Sequence, residues 1–254
     1  MPEGTIVYAI GDIHARLDLL EVMHAAILDD ADCRRAPRRV VVYLGDYISR
    51  AAHSRELIDL LLSNPLPGFE RVTLKGNHED LLLRFLDGET AAGAEWLDYG
   101  GIQALAAYGI DASAFEVEGE SCLPVICDQM KRAMPAAHLD FLRSLRLCHR
   151  EGDYYFVHAG ARPGVPLNRQ TAADQVWIRG QFLRSREDFG ATIVHGHCIS
   201  EQPDVRPNRI GIDTGAYETG RLTCVVLEGA ERAFLQTAGK PRESRREPVR
   251  GGAY

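Results

Sequence analysis

Apolar and polar positions fall into two textures along the chain. In the first third, short β-branched runs alternate with stretches of helical spacing. Thr5–Ile10, Val40–Leu44 and Arg71–Leu74 read as buried strands. Leu17–Leu28, Ser54–Leu62 and His78–Leu86 repeat apolar residues at helical intervals, and Asn64-Pro65-Leu66-Pro67-Gly68 closes the second of these. Between Asp87 and Arg150 the periodicity is helical, clearest over Trp96–Tyr108 and Pro135–Leu145. After Gly152 strands take over: Tyr154–Val157, Ala191–Val194, Arg209–Asp213 and Leu222–Leu227, the last two separated by Gly215, Thr219 and Gly220 in a hairpin pattern. Strand–helix units followed by a strand-rich half predict an α/β (α+β) domain, two sheets packed face to face with helices outside. The domain is expected over residues 1–236, with a helical insertion over 88–150 that shapes whatever site the strands build.

Residues 237–254 read differently. Lys240, Arg242, Arg245, Arg246 and Arg250 face only Glu243 and Glu247, between prolines and a Gly-Gly pair, the composition of a disordered basic tail. Elsewhere the balance is acidic, −7 overall, which argues against a broad nucleic-acid-binding face. No apolar run is long enough to span a bilayer, so no membrane partner is expected. Met1-Pro2-Glu3-Gly4 lacks the basic start of a signal peptide. The six cysteines form no Cys-x-x-Cys pair and resemble neither a zinc site nor a disulfide framework. Reduced thiols and a cytoplasmic location are the expectation.

Three blocks carry the chemistry: Gly11-Asp12-Ile13-His14, Gly45-Asp46-Tyr47-Ile48-Ser49-Arg50 and Gly76-Asn77-His78-Glu79. Each follows a predicted strand and precedes a predicted helix, the edge at which open α/β sheets build sites. Two later strands end in His158-Ala159-Gly160 and His195-Gly196-His197. A single Gly-Asp is ordinary turn chemistry; oxygen and imidazole donors recurring in the same slot are not. Two divalent ions about 3.5–4 Å apart activate water and clamp a phosphoryl group, and such a pair needs a shared ligand. Asp46 suits that role, because each carboxylate oxygen can take one ion. Asp12 and His14 share a face in an extended Asp-x-His and can hold one ion. Asn77, His158 and His197 complete the other around Asp46. This mixed oxygen and nitrogen set suits Mn²⁺, with Fe or Zn²⁺ as alternatives, better than Mg²⁺ alone. His78 lies beside the cluster as a general acid for the departing oxygen. Arg50 and Arg179 are the candidate clamps on phosphoryl oxygens, although an Arg after Trp177 also fits a cation stacked on the indole. His195 competes with His197 for one role. Glu79 fits a helix cap, and Asp213 and Tyr217 fit either a site rim or a hairpin turn.

These blocks, with Val176-Trp177-Ile178-Arg179 and Ile212-Asp213-Thr214-Gly215, resemble the calcineurin-like metallophosphoesterases, in particular the bacterial phosphoprotein-phosphatase and diadenosine-tetraphosphatase branch. The resemblance runs from Ile6 to about Leu227. It implies a central β-sandwich of mixed sheets flanked by helices, a dinuclear centre and the ligand roles above, and it favours His197 over His195. The chain departs from the pattern at four places. Ser49 stands where phosphoprotein phosphatases carry an Asp that orients the catalytic His, Ala51 and Ala15 replace glycines, and Gly196-His197-Cys198 lacks a second histidine. Losing an anionic partner of His78 hurts most when the leaving group is poor. The Val176–Arg179 block and the short insertion look more like the protein-phosphatase members, and the expected activity is phosphate-ester hydrolysis, first a serine/threonine-protein-phosphatase-like phosphomonoesterase. Symmetrical hydrolysis of diadenosine tetraphosphate to ADP is the alternative, and a catalytically weakened phosphate-binding regulator the third reading. The substrate is a phosphoprotein or a dinucleoside polyphosphate.

Overall fold

Alternation along β1 (Thr5–Ile10) explains why the chain folds in layers. In the computed structural model, which describes residues 1–113 and 119–238, Ile6, Tyr8 and Ile10 face one side and Val7 and Ala9 the other, all fully buried. The first set packs with Leu20 and Met23 of α1 (Leu17–Cys33) and Leu57 and Ile58 of α2 (Ser54–Leu62). The second set meets Phe156, Val194, Ile210 and Ile212 from the second half of the chain. One strand thus serves two cores, and period-two patterning fixes which residue joins which.

Two mixed five-stranded sheets form the sandwich. In the first, β1, β2 (Arg38–Tyr43) and β3 (Glu70–Thr73) run parallel. Near the carboxyl end of the described chain, Thr223–Glu228 pairs antiparallel with β1, and Glu231–Gln236 closes that edge. In the second sheet β4 (Cys148–Glu151) pairs antiparallel with β5 (Tyr154–Val157). Then β5, β6 (Thr192–His195) and Arg209–Gly211 run parallel, with Asp204–Arg206 antiparallel at the edge. Each sheet therefore holds three adjacent parallel strands, central in the second sheet and running out to the β3 edge in the first. The layered α/β sandwich read from the sequence is the fold observed.

The differences are local and have physical reasons. α1 continues past Leu28 to Cys33. The helical segment ends at Ser144, and Cys148–Glu151 is already an edge strand rather than part of the insertion. Arg209–Gly211 and Thr223–Glu228 do not form a hairpin, because they belong to different sheets. Gly215 and Gly220, at φ 68° and 71°, start and stop one helical turn, Ala216–Thr219, that carries the chain between the sheets. The continuous helix expected over Trp96–Tyr108 is broken. α3 (Asn77–Leu86) is followed by α4 (Thr90–Trp96), a π turn over Leu97–Gly101 and a short helix Ile102–Ala107. At the break Gly100 takes φ 97° and its carbonyl accepts the Arg50 N–H at 2.9 Å, a bond a regular helix would not leave free. Residues 239–254 of the basic tail lie outside the described residues, whereas Thr237 at its expected start is buried in the fold, its Oγ1 accepting the Leu222 N–H at 2.9 Å. Among those described, no helix is long and apolar enough to cross a membrane.

α4 rests on α3 at Gly93, where any Cβ would run into the ring of Phe85, itself buried. Gly93→Val is expected to destabilise the fold by about 1–3 kcal/mol through overpacking, seen as a lowered thermal unfolding midpoint.

Candidate metal centre

All six parallel strands end at the same edge of the sandwich, and each delivers a polar side chain there. Asp12 and His14 follow β1, Asp46 follows β2, and Asn77 opens the helix after β3. His158 follows β5, His197 follows β6, and Asp213 follows Arg209–Gly211. These seven side chains are buried, none more than 7% exposed. Each sheet supplies part of the set, so the cluster sits on the seam between them.

Asp46 lies at its centre with its two oxygens facing different neighbours. Oδ2 is 3.5 Å from His14 Nε2, and Oδ1 is 3.6 Å from His158 Nε2. Two compact triads result, His14 with Asp46 and His78, and Asp46 with His158 and His197. The imidazoles are oriented from behind. His158 Nδ1 donates to the Leu44 carbonyl at 2.9 Å and His14 Nδ1 to the Ile48 carbonyl at 3.2 Å, which leaves each Nε2 lone pair aimed inward. The His158 Nε2 lone pair then lies 3.0 Å from the Asn77 Oδ1 acceptor. His197 Nδ1 reaches the same Oδ1 at 2.9 Å, and its buried Nε2 has no hydrogen-bond partner. Nitrogen and oxygen acceptors crowded around one buried carboxylate are the donor chemistry of a cation site, and the residues present fit two ions sharing Asp46. Asp12 belongs to neither triad. Both its oxygens accept the His197 backbone N–H, at 3.2 and 3.0 Å.

The electrostatics agree. Burial pushes the Asp46 carboxyl up to about 7 against the pull of the His78 N–H and Arg50. Burial and the neighbouring charges of Asp213 and Asp46 hold Asp12 well above the ordinary carboxylate range. Burial also depresses the imidazoles, His158 to about 4 and His197 to about 2, the latter aided by the charges of His158 and Arg179. Without a cation the carboxylates resist ionising while the histidines stay neutral, ready to ligate.

Backbone geometry shows how tightly the loops are held. His14, Ala15, Asp46, Ser49, Arg50 and His197 all have positive φ, between 49° and 73°. Such conformations in non-glycine residues persist only where surroundings enforce them. One enforcer is Glu79. Its buried carboxylate accepts backbone N–H groups from Asp46 at 2.9 Å, Tyr47 at 2.8 Å, Ile48 at 3.3 Å and Gly76 at 3.0 Å. The helix cap read from the sequence is therefore also a tie between two loops. The glycines before Asn77 and His197 have a related cause: a Cβ on Gly76 would strike the Asp46 carboxylate, and one on Gly196 would strike that of Asp12.

The cluster forms the floor of a cleft of about 460 Å³. Arg50 and Arg179 both line it. The cation that stacks on a ring is Arg50, 4.5 Å from the centroid of Tyr217, rather than Arg179 on Trp177. His78 lines it as well, with Nε2 3.9 Å from Asp46 Oδ2 and a buried Nδ1 that has no hydrogen-bond partner. Ser49 does not supply one, because its Oγ accepts the Trp96 indole N–H at 3.0 Å. His195 stays out of the cleft, edge-on to Phe182 at 5.0 Å. His24 and His138 are engaged with Tyr43 and Tyr108 in the fold. Sequence reasoning left Asp213 open, yet it is buried beside Asp12 on the floor. The signal for it was present, since it too follows a parallel strand. Glu95, Tyr99 and Ile199, which line the walls, had no comparable signal.

Ion binding must displace the proton that Asp46 holds below about pH 7 and the one that burial favours on Asp12, whereas the histidines are neutral already. The apparent affinity for Mn²⁺ is therefore expected to fall as pH drops below 7, by up to about tenfold per unit for each proton displaced. Calorimetric titrations in buffers of different ionisation enthalpy check both the slope and the proton release.

Similarity to known proteins bears on this geometry. No curated protein matches the chain in sequence. Among solved structures it resembles one provisionally described as a diadenosine tetraphosphatase, at 18% identity over 91% of this chain and 93% of the other, TM-score 0.61. A cold-active protein-tyrosine phosphatase of a psychrophilic Shewanella species gives 19% identity, 93% and 83% coverage and TM-score 0.61. A metallophosphoesterase from Sphaerobacter thermophilus gives 17%, 93%, 89% and 0.50. Those likenesses establish a shared fold. The sequence profile of the calcineurin-like phosphoesterases matches residues 6–225, nearly the whole domain that carries the seven-residue cluster, and the chain belongs to that family of phosphoric-ester hydrolases.

Proposed function

We propose that the protein is a dinuclear-metal-dependent phosphohydrolase, first of all a phosphomonoesterase of the protein-phosphatase kind. The observation that supports this most directly is the Asp46 carboxylate, with one oxygen toward His14 and the other toward His158. Asp12 and His14 would hold one ion, and Asn77, His158 and His197 the other, with Asp46 between them. The mixed oxygen and nitrogen set favours Mn²⁺, Fe or Zn²⁺ over Mg²⁺. When bound, the ions supply a nucleophile from water and neutralise phosphoryl charge. Arg50 and Arg179 hold the non-bridging oxygens, their guanidinium forks matching phosphate geometry. His78 protonates the departing oxygen. Residues 1–236 act as a single domain, and the 88–150 segment contributes Glu95 and Tyr99 to the cleft wall. Six free cysteines suit a reducing, cytoplasmic setting.

The unpartnered His78 Nδ1 bears on the substrate. Without an anion behind it, and with burial holding its pKa well below the usual value, little of His78 carries at neutral pH the proton it would donate. Leaving groups that need little protonation are then favoured. Tyr99, Trp177 and Tyr217 around the cleft also offer faces to an aromatic group. Both observations support aryl phosphates among monoesters. They equally support the second reading, symmetrical hydrolysis of diadenosine tetraphosphate, in which a nucleoside diphosphate departs and an adenine can stack. A complete donor set weighs against a regulator that only binds phosphate.

With the Mn²⁺-loaded protein, an aryl phosphate such as a phosphotyrosine peptide is expected to turn over on the order of 10²-fold faster than a phosphoserine peptide. Equal rates would remove the leaving-group reading, and chromatographic release of ADP from diadenosine tetraphosphate with both peptides intact would select the second reading. Asp46→Asn should abolish metal-dependent turnover of every substrate; retained activity would sink the dinuclear assignment. Ser49→Asp, which offers His78 a carboxylate, is expected to raise the phosphoserine rate more than the aryl rate.

A further inference from the structure

A second cleft, of about 710 Å³, lies outside the metal centre, between the helix Gly180–Arg184 and the turn joining Asp204–Arg206 to Arg209–Gly211. Its size falls in the range of small-molecule sites, about 300–1,000 Å³. It shares no lining residue with the metal cleft. Arg184, Arg186, Arg206 and Arg209 line it, with Leu183 and Pro207 as apolar wall, and no acidic residue does. In a chain of net charge −7, that concentration of guanidinium groups runs against the average field.

Local acids neutralise little of it. Asp204 is shared, Oδ1 with Arg206 Nε and Oδ2 with Arg209 Nη2, each at 2.8 Å. The Glu187 carboxylate is turned instead to the Gly164 N–H, at 2.8 Å. Arg184 and Arg186 form no ion pair among the described residues. Arg209 is only 7% exposed, and its Nε has no hydrogen-bond partner. A buried guanidinium with part of its fork unsatisfied is costly unless an anion completes it. The walls are fastened together by the chain's own bonds: Asn208 Nδ2 donates to the Ser185 carbonyl at 3.1 Å and the Glu187 carbonyl at 2.9 Å.

We propose that this cleft is a second anion site that binds a phosphate group, free or carried by a small organic molecule, independently of the metal centre. Several guanidinium forks around one cavity match the oxygens of a phosphate dianion. The apolar wall accommodates an organic body where there is one. The cleft lies at the start of Arg209–Gly211, the end of that strand away from Asp213, and its helix reaches there from Gly180, next to Arg179, with the Leu183 N–H bonding the Arg179 carbonyl at 3.0 Å.

The test is arginine modification by phenylglyoxal, mapped by mass spectrometry on the full-length, Mn²⁺-loaded protein, with inorganic phosphate or chloride at equal ionic strength. Phosphate is expected to slow labelling of Arg184, Arg186 and Arg206 several-fold while leaving exposed Arg35 unchanged. Equal labelling in both salts, or protection confined to Arg50 and Arg179, would overturn the proposal. Those two report the metal cleft separately, so the outcomes there and here are distinguishable. A second measurement uses Arg184→Gln/Arg186→Gln, which should lose calorimetric binding of inorganic phosphate at this site while retaining hydrolysis; undiminished binding stoichiometry would count against the site. Repeating the protection in Asp46→Asn with adenosine monophosphate separates the ligand sources. Protection stronger than that by phosphate indicates an organic phosphate, and equal protection indicates the free ion.

Discussion

The Glu79 carboxylate is the contact on which the rest of the site depends. It sits in the first turn of α3 and closes that helix by accepting the Gly76 N–H, yet its other bonds go to three successive N–H groups of the Asp46–Ile48 loop. Burial and the Asp46 charge push its own pKa up to about 7, and the backbone donors pull the other way. Those donors are what make a buried carboxylate tolerable there. One side chain thereby sets both where Asp46 presents its oxygens and where Asn77 and His78 begin their helix. The loop after β2 and the loop after β3 cannot shift independently.

That tie operates within a strained environment. Six of the seven non-glycine residues with positive φ among those described are in the loops of the cluster. Left-handed backbone costs on the order of 1–2 kcal/mol per non-glycine residue. The cost is sustained by the apolar cores on both faces of the first sheet, where β1 and β2 are packed against helices on one side and the second sheet on the other. The polar cluster is therefore rigid because of what lies beneath it. Its donors are set by neighbouring strands rather than by each other, which is what keeps like-charged carboxylates and neutral imidazoles in place.

Much of this was legible in the sequence, for identifiable reasons. Strands such as Thr5–Ile10 and Tyr154–Val157 were readable because a strand buried on both faces must be continuously apolar and β-branched. The cluster residues were readable because donors that recur after successive strands must meet at one edge. What was not legible depended on contacts distant in sequence. The break at Gly100 exists because Arg50 requires a carbonyl there, and no periodicity records that demand. The Gly215–Gly220 stretch has hairpin composition, but sheet membership is decided by which strand edge is free. Glu79 looked like a cap and is one; its reach to a second loop is invisible to local pattern. The engagement of Ser49 by Trp96 likewise joins residues far apart in the chain.

The π turn over Leu97–Gly101 has a consequence for how such an enzyme can diverge. Arg50 is bonded through its own N–H to the Gly100 carbonyl, its neighbour Ser49 is held by Trp96, and the same segment places Glu95 and Tyr99 on the cleft wall. The proposed phosphate clamp is thus indexed to the stretch of chain that walls the rest of the cleft. A lineage that remodels this wall to admit a new leaving group also moves the clamp. Recognition and rate are inherited together here, and a change of specificity has to preserve one carbonyl and one indole while altering everything around them.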